Sequence, residues 1–167
     1  MTSPVRLAWT AVAAALLSVT AVAQERDRAQ IPERLRWNLA DVYPNDAAWR
    51  AAKDKLAAEI PSLERFKGTL ASSAAALANA LDRYYALSRE LSQLYSYASL
   101  LADEDTRDSQ HQGMRQEMVQ LAAAFSAATA YVDPELLKAG KATIDRFVAA
   151  EPRLTPYRMR LAACGTA

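Results

Sequence analysis

The chain has 167 residues, of which 51% are hydrophobic and 23% are charged, with only 4 glycines and 7 prolines. This length and composition are typical of one folded, helix-rich domain and exclude a disordered or fibrous protein. Lysine and arginine total 20 against 19 acidic residues, and this balance, without a basic stripe, excludes nucleic acid as a partner.

Residues 1–23 have the pattern of a secretory signal peptide. Arg6 precedes an apolar run over 7–19, and Ala21-Val22-Ala23 is a small-residue cleavage site. The alternative is a retained membrane anchor, but the run is shorter than the roughly 20 apolar residues that a spanning helix needs. We therefore expect cleavage after Ala23, a periplasmic or secreted mature chain, and no membrane span after cleavage.

Residues 24–36 predict a flexible tether, because charged and polar side chains dominate them.

The first helix is expected over 46–66, where Asn45 or Asp46 can cap its free N–H groups. Pro61 predicts a kink or break near 57–60, followed by a second piece from Ser62. The apolar stripe of this helix recurs at steps of three and four residues: Trp49, Ala52, Leu56, Ile60 and Leu63.

Two longer helices follow. The first is expected from a cap at Ser72 or Ser73 to about Ala102, with a stripe formed by Leu77, Leu81, Tyr84, Leu87, Leu91, Leu94, Ala98 and Leu101. After the polar corner 103–106, Asp105 or Thr106 can cap a second helix that ends near Val132, because Asp133-Pro134 is a break signal. The stripe of this second helix consists of Met114, Met118, Leu121, Phe125 and Ala128.

The pattern predicts an all-α fold, an antiparallel helical bundle built on the two long helices. A short polar turn between two amphipathic helices makes them fold back on each other and bury their stripes. Shorter helices are expected at Glu135–Lys138, Lys141–Ala150 and Arg153–Leu161, separated by Gly140 and Pro152.

His111 is the only histidine. A zinc peptidase needs two histidines one helical turn apart, a third ligand and a carboxylate base, and a serine or cysteine triad also needs partners that His111 lacks. We interpret His111 as an ordinary exposed helical residue. The sequence thus predicts no catalytic, cofactor-binding or metal-binding residue.

Other candidates have simpler interpretations. The acidic corner Asp103-Glu104-Asp105 could bind calcium or magnesium, but it lacks EF-hand spacing, and helix capping explains it better. Met114 and Met118 are expected to pack in the core. Cys164, the single cysteine, can form no intrachain disulfide, and an incidental thiol is favoured over a catalytic one. Four tyrosines could offer hydroxyls to a peptide cleft, although Tyr84 and Tyr95 have core or rim spacing: Tyr84, Tyr85, Tyr95 and Tyr97.

Five short motifs, in order, resemble the N-terminal region of oligoendopeptidase F, a family of thimet-oligopeptidase-like zinc metallopeptidases. The resemblance covers about residues 37–161 and rests on Trp37-Asn38-Leu39, Phe66-Lys67-Gly68, Tyr97-Ala98-Ser99-Leu100, Asp103-Glu104-Asp105-Thr106 and Phe125-Ser126-Ala127-Ala128-Thr129. It implies a helical domain ahead of a catalytic domain, the two enclosing a cleft that admits oligopeptides and excludes folded proteins. The zinc-binding His-Glu-x-x-His motif of the family has no counterpart in this sequence, so no site residue is carried over.

The leading hypothesis is an exported N-terminal fragment, residues 37–161, that walls the substrate cleft and is inert alone. The tail 162–167 departs from the family pattern, as a truncated or frame-shifted gene would. One alternative is a stand-alone periplasmic helical binding or scaffold protein, which should be a soluble monomer, whereas an orphaned fragment should aggregate through an exposed apolar interface. Another is a complete small hydrolase, which would cleave peptides in a metal-dependent reaction.

Overall fold

The computed structural model describes residues 31–35 and 37–163. The chain divides into two units, Met1–Trp37 and Asn38–Ala167. In the described part of the first unit, Glu33–Leu35 form a short 3-10 turn, and Trp37 has an exposed side chain. The predicted signal peptide, most of the predicted tether and the last four residues of the predicted tail lie outside the described residues.

Every regular element among the described residues is helical, which confirms the predicted all-α class. Helix α1 spans Asp46–Glu59, and Asn45 caps it by accepting a hydrogen bond from the backbone N–H of Ala48 at 2.9 Å. A 3-10 segment, Ile60–Phe66, continues the chain with Pro61 in its first turn. The predicted break is therefore confirmed, and it takes the form of a change from α to 3-10 geometry.

Helix α2 spans Ala74–Glu104, and its 31 residues correspond to a length of about 46 Å. Ser73 caps it by accepting a hydrogen bond from the backbone N–H of Ala76, as predicted. Helix α3 spans Ser109–Thr129. The side-chain amide of Gln112 donates to the carbonyl of Ala102, while Phe125 packs on Tyr84 further back along α2, so α3 runs antiparallel to α2.

The cap of α3 differs from the prediction. Asp108, and not Asp105 or Thr106, accepts hydrogen bonds from the backbone N–H groups of Gln110 and His111. Asp105 instead accepts from the N–H of Arg107 two residues later, so it closes the preceding turn. Asp105 therefore stabilises the turn, and Asp108 caps helix α3.

The predicted break at Asp133-Pro134 is also wrong. Helix α3 ends three residues before Val132, and a new helix α4 spans Val132–Ala139 with Pro134 in its first turn. Proline is tolerated there because the N–H groups of a first turn have no acceptor inside the helix. Gly140, at φ 76°, ends α4.

Helix α5 spans Lys141–Ala150, as predicted. The third predicted short helix is two elements, a 3-10 segment Pro152–Tyr157 and a helix α6 over Arg158–Ala163. Pro156 lies inside the 3-10 segment, where its missing N–H prevents a continuous α-helix. Helix α6 includes the first two residues of the predicted divergent tail.

The buried side chains form two clusters, and α2 contributes to both. The first cluster joins α1, the 3-10 segment after it, α2 and α3: Trp49, Leu56, Ile60, Leu63, Leu87, Leu94, Tyr97, Ala98, Met114, Met118 and Phe125. The second joins the turn before α2, and α2 itself, to the elements after α3: Leu70, Leu77, Ala78, Ala80, Leu81, Val132, Leu136, Ile144, Leu154 and Leu161. Among the described residues, no buried residue is polar or charged. None of the helices in this part of the chain is long and apolar enough to cross a membrane.

Candidate functional site

His111 is not the ordinary exposed residue that the sequence predicts. Its side chain is 23% exposed, with Nδ1 at 3.2 Å from Asp108 Oδ2 and Nε2 at 3.8 Å from Asp46 Oδ2. The same Asp46 carboxylate accepts hydrogen bonds from Gln110 and from the hydroxyl of Tyr97. These contacts hold the beginnings of α1 and α3 together, so the cluster has a structural role.

The acidic corner is occupied by contacts with arginines. Asp103 Oδ1 lies 3.3 Å from a guanidinium nitrogen of Arg115, and Asp105 pairs with Arg107 at 2.8 Å. In the described part of the chain, no group of three or more histidine, cysteine, aspartate or glutamate side chains could hold a metal ion. The described residues therefore do not provide the ligand set for the zinc that the family resemblance implies.

The other sequence candidates are placed as follows. Met114 and Met118 are fully buried, as predicted. Tyr97 is buried, and Tyr43 packs edge-on against it with ring centroids 5.3 Å apart. Tyr95 is an exposed side chain rather than a core or rim residue. Cys164 lies outside the described residues.

Tyr85, but not its neighbour Tyr84, lines a groove between α2 on one side and the 3-10 segment Pro152–Tyr157 with α6 on the other. The groove has a volume of about 680 Å³, which is within the range of small-molecule and peptide sites. Six of the residues that line it carry polar or aromatic groups or an exposed thioether: Asp82, Tyr85, Arg89, Tyr157, Met159 and Arg160.

One wall of the groove is a pair of stacked tyrosines. The rings of Tyr85 and Tyr157 are nearly parallel, at 4° with centroids 4.9 Å apart. The Tyr157 hydroxyl donates a hydrogen bond to Asp82 Oδ1 at 2.6 Å. Burial, and then the hydrogen bond and negative charge of Asp82, raise the pKa of Tyr157 to about 12. The pair is thus fixed in position, and Tyr157 is neutral at physiological pH.

Two arginines beside this groove form ion pairs with acidic side chains. Arg153 lies 3.3 Å from Asp82 Oδ2 and donates to the side chain of Asn79. Arg160 pairs with Asp133 at 2.7 Å and lies over the ring of Tyr84 at 5.3 Å. Both guanidinium groups therefore already neutralise a carboxylate.

Arg89 differs from these two arginines. It is exposed on α2 and lines the groove, close enough to Tyr157 for its charge to oppose the rise in the pKa of that tyrosine. It forms no hydrogen bond or ion pair with another described residue. Within the described part of the chain, the groove therefore presents one uncompensated positive charge next to an aromatic wall.

Sequence reasoning named Tyr85 but missed Asp82, Arg89 and Tyr157. Asp82, Tyr85 and Arg89 are spaced three and four residues apart, which places them on one face of α2. This spacing alone predicts a polar and aromatic face on α2. The contact with Tyr157 across the groove could not be predicted, because Tyr157 is 75 residues away from Asp82 in the sequence.

Comparison with known proteins identifies relatives of this chain. No protein-family model matches it. Oligopeptidase PepF of Bacillus subtilis is 32% identical over 142 residues, which cover 81% of this chain and 21% of PepF. The chain therefore spans about a fifth of the length of this curated relative.

Two solved structures share the fold. A crystal structure from Chlamydophila abortus aligns with a TM-score of 0.71 and 26% identity, covering 81% of this chain and 23% of that one. The crystal structure of oligoendopeptidase-F from Enterococcus faecium aligns with a TM-score of 0.67 and 27% identity, covering 72% of this chain and 24% of that one. The chain therefore belongs to the oligoendopeptidase F family, and its extent and helical fold are consistent with the N-terminal region of these proteins.

Proposed function

We propose that this chain is the N-terminal helical region of an exported, oligoendopeptidase F-like zinc metallopeptidase that hydrolyses oligopeptides. In this proposal the helices wall the substrate cleft and limit the size of the substrates, while zinc and the catalytic base belong to a region outside this chain. The chain alone is inert. One observation carries the proposal: 81% of this chain aligns in sequence, at 32% identity, with about a fifth of a protein named oligopeptidase PepF.

The side chains of this chain that could ligate a metal support a zinc site outside the chain. His111, the single histidine, is held between two carboxylates that serve helix capping and hydrogen bonding. A zinc site of the metallopeptidase kind needs at least two histidines and a free carboxylate base. Export is proposed from the signal-peptide pattern of residues 1–23.

A chimera tests the cleft-wall role. The matched segment of Bacillus subtilis PepF is replaced by the matching segment of this chain, and hydrolysis of a fluorogenic oligopeptide is measured with and without a metal chelator. We expect chelator-sensitive hydrolysis by the chimera, none by PepF lacking the segment, and none by this chain alone with added zinc. A control chimera with Leu94→Asp, which buries a charge in the first core cluster, should be inactive.

Two results would contradict the proposal. Peptide hydrolysis by the purified chain alone would show a complete small hydrolase. A folded but inactive chimera, together with a soluble monomeric chain, would favour the stand-alone periplasmic binding or scaffold protein. Sequencing the DNA downstream of the gene in all reading frames gives an independent test, because a zinc-binding His-Glu-x-x-His motif on a helix is expected there.

A further inference from the structure

We propose that the groove between α2 and α6 binds the free C-terminal carboxylate of a short peptide. Arg89 is the anion-binding group, and the stacked tyrosines Tyr85 and Tyr157 form the wall for the last side chain of the peptide. The choice of a peptide as ligand rests on the proposed function, whereas the preference for a carboxylate follows from the charges of the groove.

The charge balance favours an anion at Arg89. Among the described residues, Asp82 is the single carboxylate that lines the groove, and it is already engaged by the Tyr157 hydroxyl and by Arg153. Glu90, next to Arg89 in the sequence, is near Tyr43, whose pKa it helps to raise, on the side of the first core cluster. The guanidinium group of Arg89 thus lacks a neutralising partner among the described residues.

The geometry favours a carboxylate that has an apolar neighbour. A guanidinium group donates two parallel hydrogen bonds to a carboxylate. The stacked tyrosines lie on the same side of α2 and are held in place by the bond to Asp82, so their apolar surface is preorganised. Met159, with 78% of its surface exposed, adds an adaptable thioether to the lining of the groove.

Inorganic phosphate would use only part of this site. It could contact Arg89, but it has no apolar group to place against the tyrosines, and Arg153 and Arg160 are already paired with acidic side chains. A peptide ending in phenylalanine satisfies both features at once, because its terminal carboxylate and its ring are attached to the same Cα atom.

The experiment is a titration of the full ¹⁵N-labelled chain, followed by backbone amide chemical shifts. The probes are the pentapeptide Ala-Ala-Ala-Ala-Phe with a free C terminus, the same peptide as its C-terminal amide, penta-alanine and inorganic phosphate. The site variant is Arg89→Gln. The matched control is Arg146→Gln, which removes the same charge from an exposed position on α5 that does not line the groove.

We expect saturable shifts confined to residues 82–89 and 156–160 with the free phenylalanine peptide. Arg89→Gln should weaken this binding about tenfold, while Arg146→Gln leaves it within about twofold, because only Arg89 supplies the charge-assisted hydrogen bonds. The amide should also bind about tenfold more weakly, and penta-alanine severalfold more weakly, for the loss of the charge and of the ring, respectively.

Equal binding of the acid and the amide would overturn the proposal, as would equal effects of the two arginine variants. Phosphate binding as tight as that of the peptide would also overturn it, since the groove would then be an anion site without peptide preference. Because Arg89 contacts no described side chain through a polar bond, its replacement leaves folding intact. Binding is measured without catalysis, so a failure here is separate from a failure of the PepF chimera.

Discussion

The indole N–H of Trp49 donates a hydrogen bond to the backbone carbonyl of Leu94 at 3.0 Å. Both side chains have 0% exposure. Leu94 lies within α2, whose carbonyls already accept hydrogen bonds from N–H groups four residues later, so the bond adds a second donor to an occupied carbonyl. It fixes the position of α1 along α2 and satisfies the only polar atom of a fully buried tryptophan.

Trp49→Phe should destabilise the fold by about 2 kcal/mol. The substitution removes the hydrogen bond and leaves a small cavity in the first core cluster, and each effect costs about 1 kcal/mol or more. The free energy of unfolding is measured by urea denaturation with circular dichroism as the signal. Tyr95→Phe, at an exposed position on α2, is the control and should change the stability by less than about 0.5 kcal/mol.

Glu135→Gln should destabilise the turn between the 3-10 segment Ile60–Phe66 and α2. The two carboxylate oxygens of Glu135 accept hydrogen bonds from the backbone N–H groups of Gly68 and Leu70. A glutamine offers one acceptor and places an N–H₂ group against the other donor, at a cost of about 1 kcal/mol. Urea denaturation checks this value against Glu64→Gln, an exposed position that should be neutral. Equal stabilities of the two variants would show that the hydrogen bonds of Glu135 do not stabilise this turn.

Asp108→Ala should cost about 1 kcal/mol, the usual value for loss of an N-cap. Thr106→Ala should have no measurable effect, since Thr106 is an exposed residue of the preceding turn. The pair distinguishes the cap seen in the structure from the one that the sequence suggests. A larger loss for Thr106→Ala than for Asp108→Ala in thermal unfolding would show that the helix begins earlier than Ser109.

The periodic features of the fold could be predicted from the sequence. Steps of three and four residues identified the buried faces of α1, α2 and α3, because burial on a helix follows its 3.6-residue period. Pro61 located the end of α1 for a local steric reason. The position of Tyr95 differs from the prediction because Tyr95 and Tyr97, two residues apart, lie at opposite edges of the apolar stripe of α2. Packing against Tyr43 covers the edge that carries Tyr97 and leaves Tyr95 exposed.

The groove could be predicted only in part. The sequence identifies Tyr85 as a tyrosine able to offer its hydroxyl to a peptide, but the partners of Tyr85 depend on how the chain folds back after α4. The bond from Tyr157 to Asp82 and the bond from Gly68 to Glu135 join residues 75 and 67 positions apart. A single sequence contains no periodic signal for such pairs. The choice of Asp108 over Asp105 has a similar cause, since both can cap and the turn geometry selects between them.

The high pKa of Tyr157 makes the stability of the fold sensitive to alkaline pH. Its pKa is about 12 in the folded chain, against an ordinary value of 10.0. Between these two values the folded state holds a proton that the unfolded state has lost, so the stability due to Tyr157 is complete below pH 10 and is lost as the pH rises toward 12. Tyrosinate absorbance at 295 nm, recorded as a function of pH, should show late ionisation. Tyr157→Phe should reduce its amplitude without abolishing it, because burial also raises the pKa values of Tyr43, Tyr97 and Tyr131.

Asp82→Asn should move the ionisation of Tyr157 to lower pH. The substitution removes the negative charge that opposes formation of the tyrosinate and replaces the carboxylate that accepts the phenolic hydrogen bond. Burial, the larger cause, remains, so the pKa of Tyr157 should fall without returning fully to its ordinary value. Asp103→Asn is the control, because it removes the same charge from a carboxylate paired with Arg115, and it should leave the titration of Tyr157 unchanged. An identical titration in Asp82→Asn and in the unsubstituted chain would show that burial alone raises the pKa.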